Sequence, residues 1–428
     1  MGAYNSGDSV IYATVGAGNT IYIKRGTTVS DWAGINVNTA VNIDDYGTAE
    51  RCATWSRTGG TTAIQLSSNG SIVRDICVTG DGSSNLVNIT ATGVTLSGVE
   101  VHNNAGAGAG ISFTATSVGG TLTDVTVHDI ADDGVNIAAA ASGTFAITNL
   151  DCYMIDTANS LGDCIQANTG SVSNVVVSGG RFVKETNTKS AIIYDGSGTL
   201  TIKDRPEIYL EANSAQGIAM WGSGSLVLTS TYIDGENRTG AGCVFVTNTG
   251  TATISGLITL GCDYGAYVSH ASGTAFIRNS TLKDAALSAV YHTTGGTLTL
   301  NNNYMDAPIN IDDASAGATT VADVNRYGLR LGGFRLDGAS HATLAAWQAA
   351  SSQDANSTTG VDPEFVGGAT PTTRDGFRLK STSPLRRVGK DLNIGTYQDA
   401  LGRGYLHPPS IGGLEATSGD ARINKTAR

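Results

Sequence analysis

A glycine followed by threonine or serine and then an alternating strand recurs eight times, and nothing else in the chain restricts its fold as much. The repeats open at Gly120 (GTLTDV), Gly143 (GTFAIT), Gly170 (GSVSNV), Gly198 (GTLTIK), Gly224 (GSLVLT), Gly250 (GTATIS), Gly273 (GTAFIR) and Gly296 (GTLTLN). Successive spacings are 23, 27, 28, 26, 26, 23 and 23 residues. Helical repeats keep a nearly fixed period, whereas one coil of three short strands and three turns tolerates this variation. After each anchor the apolar residues alternate: Leu122, Phe145 with Ile147, Leu200 with Ile202, Leu226 with Leu228, and Leu298 with Leu300. A period of two marks a strand with one face inward.

A second strand closes each coil before the next glycine, at AIIYDGS (191), GIAMWGS (217), CVFVTNT (243), AYVSHAS (266) and AVYHTTG (289). Its inward row is expected to be Ile192, Ile218, Val244, Tyr267 and Val290. The adjacent row, Ile193, Ala219, Phe245, Val268 and Tyr291, should then point outward although it is mostly apolar. Such a stripe implies a cover, either a loop of the same chain or, as the preferred reading, a neighbouring subunit across a homotrimer interface. The expected fold is all-β: a single-stranded right-handed parallel β-helix of about ten or more coils, with a short helix and a capping segment near the C-terminus. The expected divisions are an N-terminal arm (1–18), the β-helix (19–310), a helix-containing excursion with closing segment (311–411) and a polar tail (412–428). Leu344 to Ala350 is the helix candidate, with Trp347 read as a plug over the last coil in preference to a ligand platform.

Composition agrees with a solenoid and excludes several functions. The chain has 56 Gly, 7 Pro and only 15% charged residues. A net charge of −11 argues against a nucleic-acid partner, and no apolar run approaches the roughly 18 residues a membrane span needs. Residues 1–8 lack a basic stretch and an apolar core, so no signal peptide is expected. The six cysteines (Cys52, Cys77, Cys152, Cys164, Cys243, Cys262) lack zinc-type spacing and read as buried free thiols, consistent with synthesis in a cytoplasm. Six histidines (His102, His128, His270, His292, His341, His407) are scattered without ligand spacing, so neither a metal nor a cofactor is expected.

Both ends carry a resemblance. NTIYIKRGTT, VNIDDYGTA and CATW (residues 19–55) resemble the first coil of the pectate-lyase-like β-helix superfamily. TLAAWQAASSQDANS (343–357), VDPEFV (361–366), DGFRLKSTSPLRRVG (375–389), NIGTYQDALGR (393–403) and PSIGGLE (409–415) resemble the closing segment of bacterial and phage right-handed β-helix proteins. The ending GDARINKTAR is similar to tails of phage structural proteins. The resemblance implies the fold; chemistry must be sought in the site.

For cleavage of a polysaccharide, a hydrolase needs two carboxylates at a set separation. Aligning GVNI (134–137) with CIQA (164–167) stacks Asp133 beneath Asp163, about 4.8 Å apart, with Asp132 alongside. ADDGVNI and LGDCIQA resemble aspartate-bearing strands of polygalacturonases, but the Gly-His-Gly and Arg-x-Lys elements of that family have no counterpart, and aspartates beside glycine are ordinary turn residues. A lyase would draw on Lys203, Arg205, Lys184 or Lys189. Carbohydrate binding without cleavage points to Asp195, Trp221 and His270 on one outward row, where Trp221 could equally meet a subunit. The reading that follows is a phage virion protein (a β-helical spike, receptor-binding or capsid-decoration protein) whose partners are itself, other virion proteins through its termini, and bacterial surface polysaccharide. The alternative is a polysaccharide depolymerase, lyase or hydrolase.

Overall fold

In the computed structural model, residues 17–414 are described except 31–34, 49–51, 58, 60, 83, 156–161, 171–173, 186–188, 248–249, 331, 393–397 and 405–407. The 1–18 arm and the 412–428 tail therefore lie almost wholly outside the described residues. The strands form three sheets, parallel except for the last strand of sheet 3, Ala339–His341, which pairs antiparallel with Gly333–Leu336, and each coil contributes one strand to sheet 1, then sheet 2, then sheet 3. All eight glycine anchors open sheet 1 strands, and the coil-closing strands belong to sheet 3. The chain divides into two compact units, the first essentially up to Ser225 and the second from there on.

The first unit holds eight described coils, from Thr20–Lys24 to Gln216–Met220. In sheet 1 Leu96 pairs with Leu122, Leu122 with Ile147 and Ile147 with Val177, so like stacks on like. All four are buried, and full burial of such a side chain is worth about 1.5–3 kcal/mol. Gly120 is dictated by packing: a β-carbon there would sit 2.4 Å from the Phe113 ring, which packs edge-on against Phe145 at 4.8 Å between centroids. The corner from sheet 1 to sheet 2 enters the left-handed region in successive coils, at Asp75, Gly98, Asp124, Asn149 and Gly179. Glycine, asparagine and aspartate visit that region at least cost, and Asn149 Nδ2 donates to Asp124 Oδ1 at 2.9 Å across successive corners.

The second unit has five described coils, and its C-terminal segment closes it. Inside its corner runs a polar ladder: the Ser280 amide donates to Asn303 Oδ1, the Asn303 amide to Asn325 Oδ1 and the Asn325 amide to Ser357 Oγ. Asp354 terminates the ladder, accepting from Tyr327 Oη (2.7 Å), Asn325 Nδ2 (3.1 Å) and Trp347 Nε1 (3.1 Å). The helix is Leu344–Ser351, with Thr343 Oγ1 capping the Ala346 amide. Trp347 is fully buried and stacks on Phe334 of the last coil, the plug that the sequence suggested. Further on, Phe365 and Phe377 pack on Tyr304 and Tyr232. Within this unit the closing segment thus buries the outer side of sheet 2.

The cysteines correct the sequence reading. They form three disulfides, Cys52–Cys77, Cys152–Cys164 and Cys243–Cys262, with Cα separations of 5.8–5.9 Å. Cys52–Cys77 and Cys243–Cys262 meet because a strand's neighbour is one coil away, which linear spacing does not reveal, whereas Cys152–Cys164 closes a corner within one coil. The inference from free thiols to a cytoplasm loses its basis.

Candidate functional site

The structure stacks the two aspartates as expected, but turns them inward. Asp133 is 2% exposed and Asp163 is 0% exposed. Asp133 Oδ1 accepts the Asp163 amide (2.9 Å), and Asp163 Oδ1 accepts the Ser190 amide (2.6 Å). Asn85 does the same for Ala109 at the equivalent corner. These carboxylates tie successive coils together, the structural role open to turn aspartates. Burial raises Asp133 to about 6 and Asp163 to about 7, the Asp133 charge adding to the latter. Asp132 is half-buried beside them. A polymer lying along the outside would not meet the Asp133–Asp163 pair. Lys184, a lyase candidate, is buried and donates to the Gly162 carbonyl at 2.8 Å.

The outward rows are corrected by one residue in the coil of Tyr264–Ser269. There Phe245 pairs with Tyr267 and Tyr267 with Tyr291, whereas Val268 pairs with Val246 inside the core. Val268 and His270 are both 0% exposed, so neither lines an outer face. The turn before Gly273 differs in length from those before it, and a one-residue slip exchanges the faces of a strand. The aromatic row is therefore Phe245, Tyr267 and Tyr291, stacked at 5.0 Å steps and half-exposed. Ile193 is outward in register but only 4% exposed. Trp221 is 45% exposed and Asp195 half-buried.

An array of chemistry-bearing side chains lies on the outside of sheet 2 in the first unit, where the sequence reading located no site. His102, His128 and Tyr153 occupy one register row. The rings stack face to face, His102 to His128 at 5.1 Å and His128 to Tyr153 at 4.8 Å. The parallel row two residues earlier carries Glu100, Thr126, Asp151, Arg181 and Glu207. His128 bridges two carboxylates, Nε2 to Glu100 Oε1 at 3.0 Å and Nδ1 to Asp129 Oδ2 at 2.7 Å. Burial holds His102 below the ordinary histidine value, opposed by the Glu100 charge. Burial likewise raises Tyr153, helped by Asp151.

A cleft of about 510 Å³ opens beside this row, lined by Ser56, Arg57, Thr79, Gly80, Asp81, Asn103, Ala105 and Asp129. Asp129 thus belongs to both the cleft and the histidine row. The signal that could have found the site is a pair of histidines 26 residues apart, one coil period, each followed by Asn or Asp.

The architecture defines a right-handed parallel β-helix. Residues 163–325 match the family described as right handed beta helix region. Among solved structures the chain is similar to that titled "Crystal structure of pectate lyase Pel9A", at 16% identity and a TM-score of 0.42, covering 95% of this chain and 90% of that one. No curated protein matches the sequence. Among the described residues no helix is long and apolar enough to cross a membrane.

Proposed function

We propose that this chain binds a polysaccharide along the outer face of sheet 2 in its first unit. The observation that carries the reading is the in-register row of His102, His128 and Tyr153 beside a cleft that offers Arg57, Asp81, Asn103 and Asp129. Hydroxyl-rich polymers are held by such sets of donors, acceptors and ring faces, and parallel coils repeat them every 4.8 Å or so. Binding without cleavage fits the inward placement of Asp133 and Asp163. The test is titration of bacterial surface polysaccharides into the full chain, with release of new reducing ends measured in parallel. Saturable binding that weakens at least tenfold in H128A, without new reducing ends, is expected. Wild-type affinity in H128A would remove the face from consideration, and reducing-end release would shift the reading to a depolymerase.

The second reading, a β-helical spike or decoration protein of a phage virion, is favoured by the disulfides. Such bonds persist in oxidising settings such as the outside of a released particle. The half-exposed Phe245–Tyr267–Tyr291 row offers a surface for a homotrimer. Light scattering should then give three times the 43.7 kDa chain mass; a monomer would refute the trimer.

A further inference from the structure

We propose that Glu100, His102 and His128 bind a divalent transition-metal ion of the zinc or cobalt kind, with Asp129 orienting His128. This goes beyond the glycan reading and does not rest on it. The coil repeat brings the three residues together, and their ligand atoms lie within 4.8 Å of one another. A tetrahedral ion with bonds of about 2.0–2.2 Å holds neighbouring donors roughly 3.3–3.5 Å apart. Glu100 Oε1 and His128 Nε2 stand at 3.0 Å, so one edge of such a site already exists. The remaining donors must close by on the order of 1 Å, and the Glu100 side chain, 42% exposed, has room to move.

A metal-bound imidazole usually gives its other nitrogen to a carboxylate, which fixes ring orientation and tautomer. Asp129 makes that contact with His128 Nδ1 at 2.7 Å, which leaves Nε2 facing Glu100. The backbone arranges this: Asp129 and Asn103, each directly after its histidine, hold φ values of +54° and +59°. An ion between Nε2 and Glu100 Oε1 would take the place of the direct contact that now joins them. Cys52 and Cys77, which also neighbour Glu100, are joined to each other, so the donor set is imidazole and carboxylate. That set suits zinc or cobalt better than ions preferring thiolates or oxygen alone.

The bland alternative is a stacked row closed by an ion pair, with no affinity for metal. Titrating Co²⁺ into the full, unreduced chain while recording visible absorption, and Zn²⁺ by calorimetry, separates the two. We expect one ion per chain, with affinity reduced at least tenfold in H128A and in E100Q, and roughly 10–100-fold in D129N. E100Q guards against a folding defect in H128A, because it alters only the charge of a part-exposed side chain. Absence of saturable binding, or wild-type affinity retained in both E100Q and H128A, would overturn the site.

Discussion

Replacing Asp163 with Asn tests whether the inward carboxylates act as coil ties that carry a cost at neutral pH. Asp163 is 0% exposed, its Oδ1 holds the Ser190 amide, and its Oδ2 has no hydrogen-bond partner among the described residues. Its folded value of about 7 lies above the ordinary 3.8, so the folded chain binds this proton more tightly than the unfolded chain. The resulting stability is fully present below about pH 4 and is lost as pH rises through about 7. The rise corresponds to about 4 kcal/mol. Asn keeps the acceptor for Ser190 and removes the charge. Asp163→Asn should therefore stabilise the first unit by roughly 2–4 kcal/mol at pH 8, discounting for lost attraction to Lys184 and Lys189. At pH 4.5 it should change little. For a unit of this size each kcal/mol moves the melting temperature by about 2–4 °C, so thermal melts at pH 4.5, 6, 7 and 8 read the effect directly. A variant destabilised equally at every pH, or one that keeps the wild-type slope, would refute the reasoning.

Two further outcomes follow from the packing. The disulfides close separations of 25, 12 and 19 residues, each worth about 3 kcal/mol by loop entropy; reduction should lower the melting temperature, and six alkylated cysteines in the unreduced, denatured chain would contradict the pairing. Trp347→Ala should cost about 3–5 kcal/mol in denaturant unfolding of the second unit, since it also removes a donor from Asp354, and a loss below about 1 kcal/mol would show that the plug is dispensable.

How far the molecule could be read from its sequence depended on the sheet. Sheet 1 was legible over the eight coils from Gly120 to Gly296, because a glycine marks each of those strands and Leu200, Leu226 and Leu298 repeat the same inward position. Sheet 3 was legible until Val268 and His270, where a change in turn length reversed the faces. Sheet 2 carries no glycine anchor. Glu100, His102 and His128 were therefore never aligned, and the row they form fell on the face left unread. Two of the three cysteine pairings were hidden for the same reason: Cys52–Cys77 and Cys243–Cys262 join adjacent coils at a period that varies.

The disulfides also set how such a chain would respond to load. The strands of each coil in the first unit pair only with those of adjacent coils, so a pull along the chain should peel them singly. A coil of 23–28 residues would pay out about 8–10 nm of contour at roughly 3.3–3.6 Å per residue. Cys52–Cys77 and Cys243–Cys262 each bridge adjacent coils, and so would withhold the length between them until reduced. In a force–extension trace the protein would be shorter than its sequence, with two lengths of slack released only by a reductant.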